Sequence, residues 1–186
     1  AADWSRLLAR VDRPGSSELW AVEAPAGAAT SLAQTGGSLV DWAIAGDGNW
    51  ALASIEAGGD FVTTVFDLPG GQAFEVNQGA HPRAELSPDG RWLALAGVRG
   101  DDSQESLILI DLATIAEAGE ARTIMAGETI LPALGAGGEE KGFFSADGEW
   151  LGAVVRGGGE SRLRMRALQG DLRLDMALGA GEEVQW

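Results

Sequence analysis

Leu86-Ser87-Pro88-Asp89-Gly90-Arg91-Trp92-Leu93-Ala94 sets an Asp-Gly pair between two apolar runs and opens the second run with a Trp. Gly takes positive φ at low cost and Asp accepts local backbone hydrogen bonds, so the pair marks a hairpin between two strands. The Trp that follows is large enough to cover the gap to a neighbouring sheet. Two further stretches align without gaps. They are Trp42-Ala-Ile-Ala-Gly-Asp47-Gly48-Asn-Trp50-Ala-Leu52 and Gly142-Phe-Phe-Ser-Ala-Asp147-Gly148-Glu-Trp150-Leu-Gly152.

Working outward, each hairpin is followed by a third β-type run. These are Phe61–Asp67, Ser106–Asp111 and Ser161–Arg166, with Glu18–Glu23 preceding them in an earlier, incomplete copy. Gly-rich turns and fourth runs follow near Thr30–Ala33, Ala73–Val76, Arg122–Met125 and Leu172–Met176. Asp3 occupies the hairpin position of the first copy, so the spacings are 44 residues to Asp47, 42 on to Asp89 and 58 on to Asp147. Four short strands per repeat of about 45 residues is the blade pattern. The expected fold is all-β: a β-propeller of four four-stranded antiparallel blades.

In the last copy Trp186 stands where Ile44, Leu86 and Phe144 precede their hairpins, so Val184-Gln185-Trp186 read on into Ala1-Ala2-Asp3 restores the register. Blade 1 is therefore expected to combine residues 182–186 with 4–34. Blade 2 is expected over 39–76, blade 3 over 83–125 with inserted loops to 141, and blade 4 over 142–177. Pairing of the two chain ends would hide sheet edges that otherwise template aggregation. The alternatives are a fragment of a larger propeller and a dimer of half-rings.

Leu86-Ser-Pro-Asp-Gly-Arg-Trp-Leu-Ala94 resembles the repeat signature of TolB-like propellers, which are akin to WD-repeat propellers. Phe144-Ser-Ala-Asp-Gly-Glu-Trp150-Leu matches it well, Ile44-Ala-Gly-Asp-Gly-Asn-Trp50 less fully, and Ala1-Ala2-Asp3 with Trp4 in place of Gly least. The resemblance spans essentially the whole chain and speaks to fold rather than function, because these repeats are structural. Such propellers occur in periplasmic adaptor proteins, as gates of prolyl-oligopeptidase-like enzymes, and in many bacterial proteins. A periplasmic or extracellular location is thereby favoured over a cytoplasmic one.

Composition narrows the function classes. The 186 residues are 45% hydrophobic and 22% charged, consistent with one globular domain. The 28 acidic residues against 13 Lys and Arg leave a net charge of −15, which repels nucleic acid and anionic membranes. No apolar run is long enough for a membrane span, so no insertion is expected. The absence of Cys removes thiolate metal sites and leaves the redox compartment open. No Gly-x-Ser-x-Gly occurs, and one His cannot supply a His-based metal site, so no cofactor or metal is expected. The hairpin residues Asp47, Asp89 and Asp147 read as turn formers on separate blades rather than as a carboxylate site.

The third copy is the longest, with its excess in 97–105 and 113–141. In a blade, the loops from strand two to three and from blade to blade emerge on one face, and loops on a rigid scaffold carry function. His81, Arg83, Arg99, Asp101, Asp102, Glu139 and Glu140 are the candidate partner-binding residues of that face. Arg99-Gly100-Asp101 is discounted as an integrin-type motif and kept as an exposed turn. Asp41 and Glu85 are the strand-one carboxylates closest to a central channel. Period-two alternation puts Arg162, Arg164 and Arg166 on one face of a strand, beside Asp171, Arg173 and Asp175. They serve either cross-strand ion pairing or a local basic patch for an anionic partner. The expected function is a non-enzymatic binding or scaffold module for a protein or peptide partner. The alternative is a propeller associated with an enzyme, as a hydrolase gate or a carbohydrate-active domain, which needs converging channel carboxylates.

Overall fold

A computed structural model describes residues 5–25, 27–57, 60–76, 83–98, 104–117, 122–127, 129–131, 133–134 and 140–179. Four antiparallel meanders follow one another along the chain. Sheet one contains β1 (Arg6–Arg13), β2 (Ser16–Glu23) and β3 (Ala29–Thr35). Sheet two contains β4 (Ser38–Ile44), β5 (Trp50–Ala57), β6 (Asp60–Asp67) and β7 (Gln72–Glu75), and sheet three β8 (Arg83–Leu86), β9 (Trp92–Val98), β10 (Glu105–Asp111) and β11 (Arg122–Gly127). A 3-10 helix at Leu112–Glu117, in a stretch expected to be loop, links β10 to β11.

The fourth sheet departs from the sequence expectation. Its first strand is β12 (Thr129–Leu131), ahead of the expected start at Gly142, and the chain then makes a small hairpin of β13 (Ala133–Leu134) and β14 (Glu140–Gly142). It then returns to the same slot. Ile130 faces Val155 while Phe144 bridges to Leu151 further along β15 (Trp150–Gly157). One strand position is thus shared by two segments with a hairpin inserted between them. β16 (Glu160–Ala167) and β17 (Arg173–Leu178) complete the sheet, β17 at its outer edge.

The repeat has a common bonding frame. In sheets three and four the residue before the turn is Ser. Ser87 donates its amide to the Trp92 carbonyl (2.8 Å) and its hydroxyl oxygen accepts from the Trp92 amide (2.8 Å). Ser145 and Trp150 repeat both bonds at 3.0 Å. Asp89 accepts from the Ser87 hydroxyl (2.5 Å) and the Arg91 amide (3.1 Å). The turn therefore encloses four residues, with Gly90 at φ 70° donating to the Ser87 carbonyl. Arg91 lays its guanidinium over the Trp92 ring (4.8 Å) and reaches Asp111 (3.5 Å). Asp89→Ala removes one part-buried and one exposed bond and should cost about 1 kcal/mol, read as a small shift of the denaturation midpoint at unchanged slope.

A second bond recurs across all four sheets. The amide just beyond β2, β6, β10 or β16 donates to the carbonyl just before the strand paired with it (β1, β5, β9 or β15): Ala24 to Ser5 (2.7 Å), and Leu68 to Asn49, Leu112 to Arg91 and Leu168 to Glu149, each 2.9 Å.

Alternation along each strand builds the core between sheets. Leu93, Leu95, Ile108 and Ile110 face sheet two and pack with Leu52 and Val65. Ala94, Ala96, Leu107 and Leu109 face sheet four and pack with Leu151, Ala153 and Phe144. Both faces of the central strands are covered, which is why β9 and β10 read as continuous apolar runs. Trp50 and Trp92 pack, partly buried, against successive intersheet clusters. A third cluster, with Leu19, Leu39 and Phe66, joins sheets one and two.

Candidate functional site

Three side chains of sheet three hold the divided strand of sheet four. Arg83, on β8, donates to the Ile130 carbonyl (3.0 Å), and Glu105, on β10, accepts the Ile130 amide (2.6 Å). Glu85, two residues beyond Arg83, accepts the amides of Phe143 and Phe144. The inserted hairpin is therefore clamped at both of its ends by the preceding blade. Gly142, at φ 105°, lies against the Glu85 carboxylate with no room for a Cβ. A related contact joins sheets one and two, where Arg10 donates to the Leu39 carbonyl (3.1 Å) and stacks over the Trp42 ring (5.0 Å).

The burial of Glu85 has an electrostatic consequence. Desolvation pushes its carboxyl up to about 7, against the two amide bonds that stabilise the charged form. Asp41 is also raised, again by burial, with a backbone bond at Trp42 opposing. Glu85 was expected to be a channel carboxylate, and the structure commits both its oxygens to backbone amides of the next blade. Among the described residues no group of three or more His, Asp or Glu side chains is placed to hold a metal ion.

Of the loop-face residues, His81, Arg99, Asp101, Asp102 and Glu139 lie outside the described residues, and Glu140 is placed by its backbone alone, at the start of β14. Arg83 is described, and it grips the base of the inserted hairpin. The strand ends bordering the segments of His81 and of Arg99, Asp101 and Asp102 share one end of sheet three, where Arg83 faces Ala96 and Glu105 faces Val98, whereas the inserted hairpin leaves sheet four part-way along β15, between Leu131 opposite Val154 and Phe144 opposite Leu151. Glu105 went unnoticed in the sequence, where it reads as an ordinary strand-opening acid. The signal for the close contact was Gly142, since a Gly in an apolar strand marks a near approach of other atoms.

The chain's architecture is shared by solved structures. TolB from Acinetobacter baumannii superposes with a TM-score of 0.55 at 18% identity, over 97% of this chain and 42% of that one. The β-propeller domain of the Trilobed protease from Pyrococcus furiosus, with its open velcro topology, gives 0.55 at 16% identity over 78% and 44% of the two chains. The fold is a β-propeller, similar to that of TolB. A prolyl endopeptidase also superposes on the propeller, with a TM-score of 0.55 at 14% identity, over 92% of this chain and 29% of that one. No sequence-family model and no curated protein sequence matches the chain. The propeller spans less than half the length of each of these three structures. No helix in the described residues is long and apolar enough to cross a membrane.

Proposed function

We propose that this propeller is a non-enzymatic binding or scaffold module whose loop face engages a protein or peptide partner. The observation that carries the reading is the clamped insertion. A hairpin that interrupts a strand, and is tied at both ends by Arg83, Glu85 and Glu105, is a loop presented on a rigid support. On this reading the hairpin, which begins its second strand at Glu140, presents Glu139 and Glu140, and the segments carrying His81, Arg99, Asp101 and Asp102 join the same binding face. Arg83 contributes by anchoring. Solved propellers of this fold include TolB as well as a prolyl endopeptidase, so the fold alone leaves the reading to the clamped insertion.

The second reading, an enzyme-associated propeller, draws on the likeness to a prolyl endopeptidase and on the raised carboxyl of Glu85. Site-specific photocrosslinkers at positions 102 and 139, with a control at the exposed turn residue Pro69 at the opposite end of its sheet, separate the two. The binding reading expects a discrete adduct from 102 and 139 and none from 69. Equal labelling at all three positions, or turnover of peptide or oligosaccharide substrates by the purified chain, would overturn it.

A further inference from the structure

The arginines of β16 and β17 divide into two groups. Arg162 and Arg164 both pair with Asp175, at 2.6 and 3.4 Å, and Arg162 also reaches Glu160 at 3.8 Å. Arg164 further donates to the Ala126 carbonyl across the intersheet gap (3.4 Å). Arg166 and Arg173 have no ion-pair partner among the described residues, and they stand directly opposite each other on β16 and β17. Like charges directly opposed across strands are destabilising. The chain has 28 acidic residues against 13 Lys and Arg, so a shortage of carboxylates does not explain two unpaired, facing arginines.

Both open onto a cleft of about 230 Å³ between sheets three and four, lined also by Ile124, Met125, Arg164, Met165, Leu174 and Asp175. Three guanidinium groups thus meet one carboxylate, whose pKa is lowered chiefly by its bond to Arg162. A whole small molecule commonly fills a pocket of about 300–1,000 Å³, so this cleft suits side chains of a larger ligand. Beside it runs β17, the outer strand, with no partner on its far side among the described residues. Alternate positions of β17 expose Leu174 (45%) and Met176 (47%), and Leu172 (63%), just before the strand, is exposed as well.

An edge strand with cationic side chains on one face and apolar ones on the other matches an extended chain of opposite pattern. Such a chain would pair its backbone with the edge and turn alternate side chains to each face. We propose that the outer edge of sheet four binds an extended peptide segment of alternating acidic and apolar residues, as a fifth strand along β17, with its carboxylates on Arg166 and Arg173. Arginine suits this role because its planar fork binds carboxylate through two parallel bonds. This site is separate from the loop face and stands whether or not that face binds a partner.

The test uses the full chain and a fluorescein-labelled peptide alternating Glu and Leu, followed by anisotropy at neutral pH. Binding is expected, and an alternating Gln–Leu peptide should bind about tenfold or more weakly. Arg166→Gln and Arg173→Gln should each weaken the Glu–Leu peptide by about tenfold while raising the Tm by about 1–3 °C, because each relieves the opposed pair. Arg156→Gln, which removes a charge from the same sheet outside the cleft, should change affinity by less than about twofold. Affinity unaltered by both cleft variants would overturn the proposal. Binding of inorganic phosphate at the same arginines without binding of the peptide would also overturn it, showing a small-anion site instead.

Discussion

Chemical denaturation across pH should show the stability of this propeller falling by about 3 kcal/mol between pH 4.5 and 7, with Glu85 as the cause. The folded state holds this proton up to about pH 7 and the unfolded chain releases it near 4.5. Between those values the native state binds more protons, so raising the pH favours unfolding, and the loss is complete above 7. Asp41 is raised by burial and acts in the same direction. Asp12, Asp147 and Asp175 are lowered by hydrogen bonds from Arg10, Ser145 and Arg162 respectively. Their contribution is present above about pH 3.8 and is lost as the pH falls below it, so it occupies a different window.

Two variants isolate Glu85. Glu85→Gln keeps the shape of the neutral acid and still offers one oxygen to the amides of Phe143 and Phe144. It should flatten the slope between pH 4.5 and 7 and exceed the wild type in stability at pH 8. The flattening also separates the Glu85 effect from general repulsion within a chain of net charge −15, which the variant leaves nearly unchanged. Glu85→Ala instead strands both amides at buried residues and should cost about 2–4 kcal/mol even at pH 5. A slope unaltered by Glu85→Gln would sink this account.

The parts of the fold legible in the sequence are those set by local chemistry. Asp-Gly before Trp defines a turn within a few residues, and Ser87, Asp89 and Arg91 all act within or beside that turn. Strand faces were legible for the same reason, since period-two alternation places Leu93 and Ala94 on opposite sides without knowledge of neighbours. The divided strand was not legible. Thr129-Ile130-Leu131 is too short to stand apart from the surrounding loop, and what fixes it comes from 25 residues away in Glu105 and 47 away in Arg83. Arg83 read as a loop-face residue for the same reason, because its partner is a backbone carbonyl that no side-chain pattern reveals. The arginines were half legible. Alternation put Arg162, Arg164 and Arg166 on one face, but only the register of β16 on β17 shows that Asp175 serves the first two and leaves Arg166 facing Arg173.

Gly142→Ala should cost about 3 kcal/mol, and about 1–2 kcal/mol of that cost should vanish in the absence of Glu85. Gly142 sits at φ 105°, which an L-residue adopts only with strain of about 1–3 kcal/mol. Its added Cβ would also fall within the space of the Glu85 carboxylate, a buried group that cannot swing away without releasing Phe143 and Phe144. The two terms differ in how they respond to Glu85→Ala. Backbone strain persists in the double variant, whereas the collision disappears, so a double-mutant cycle on Tm or denaturation midpoints reads them separately. A coupling of about 1–2 kcal/mol is expected for residues in such direct contact. Simple additivity would mean that Glu85 does not press on Gly142, and the cost of Gly142→Ala would then be backbone strain alone. Coupling would tie the missing Cβ at Gly142 to the carboxylate two residues beyond Arg83. It would also make the placement of the hairpin a property of two adjacent blades rather than of the hairpin itself.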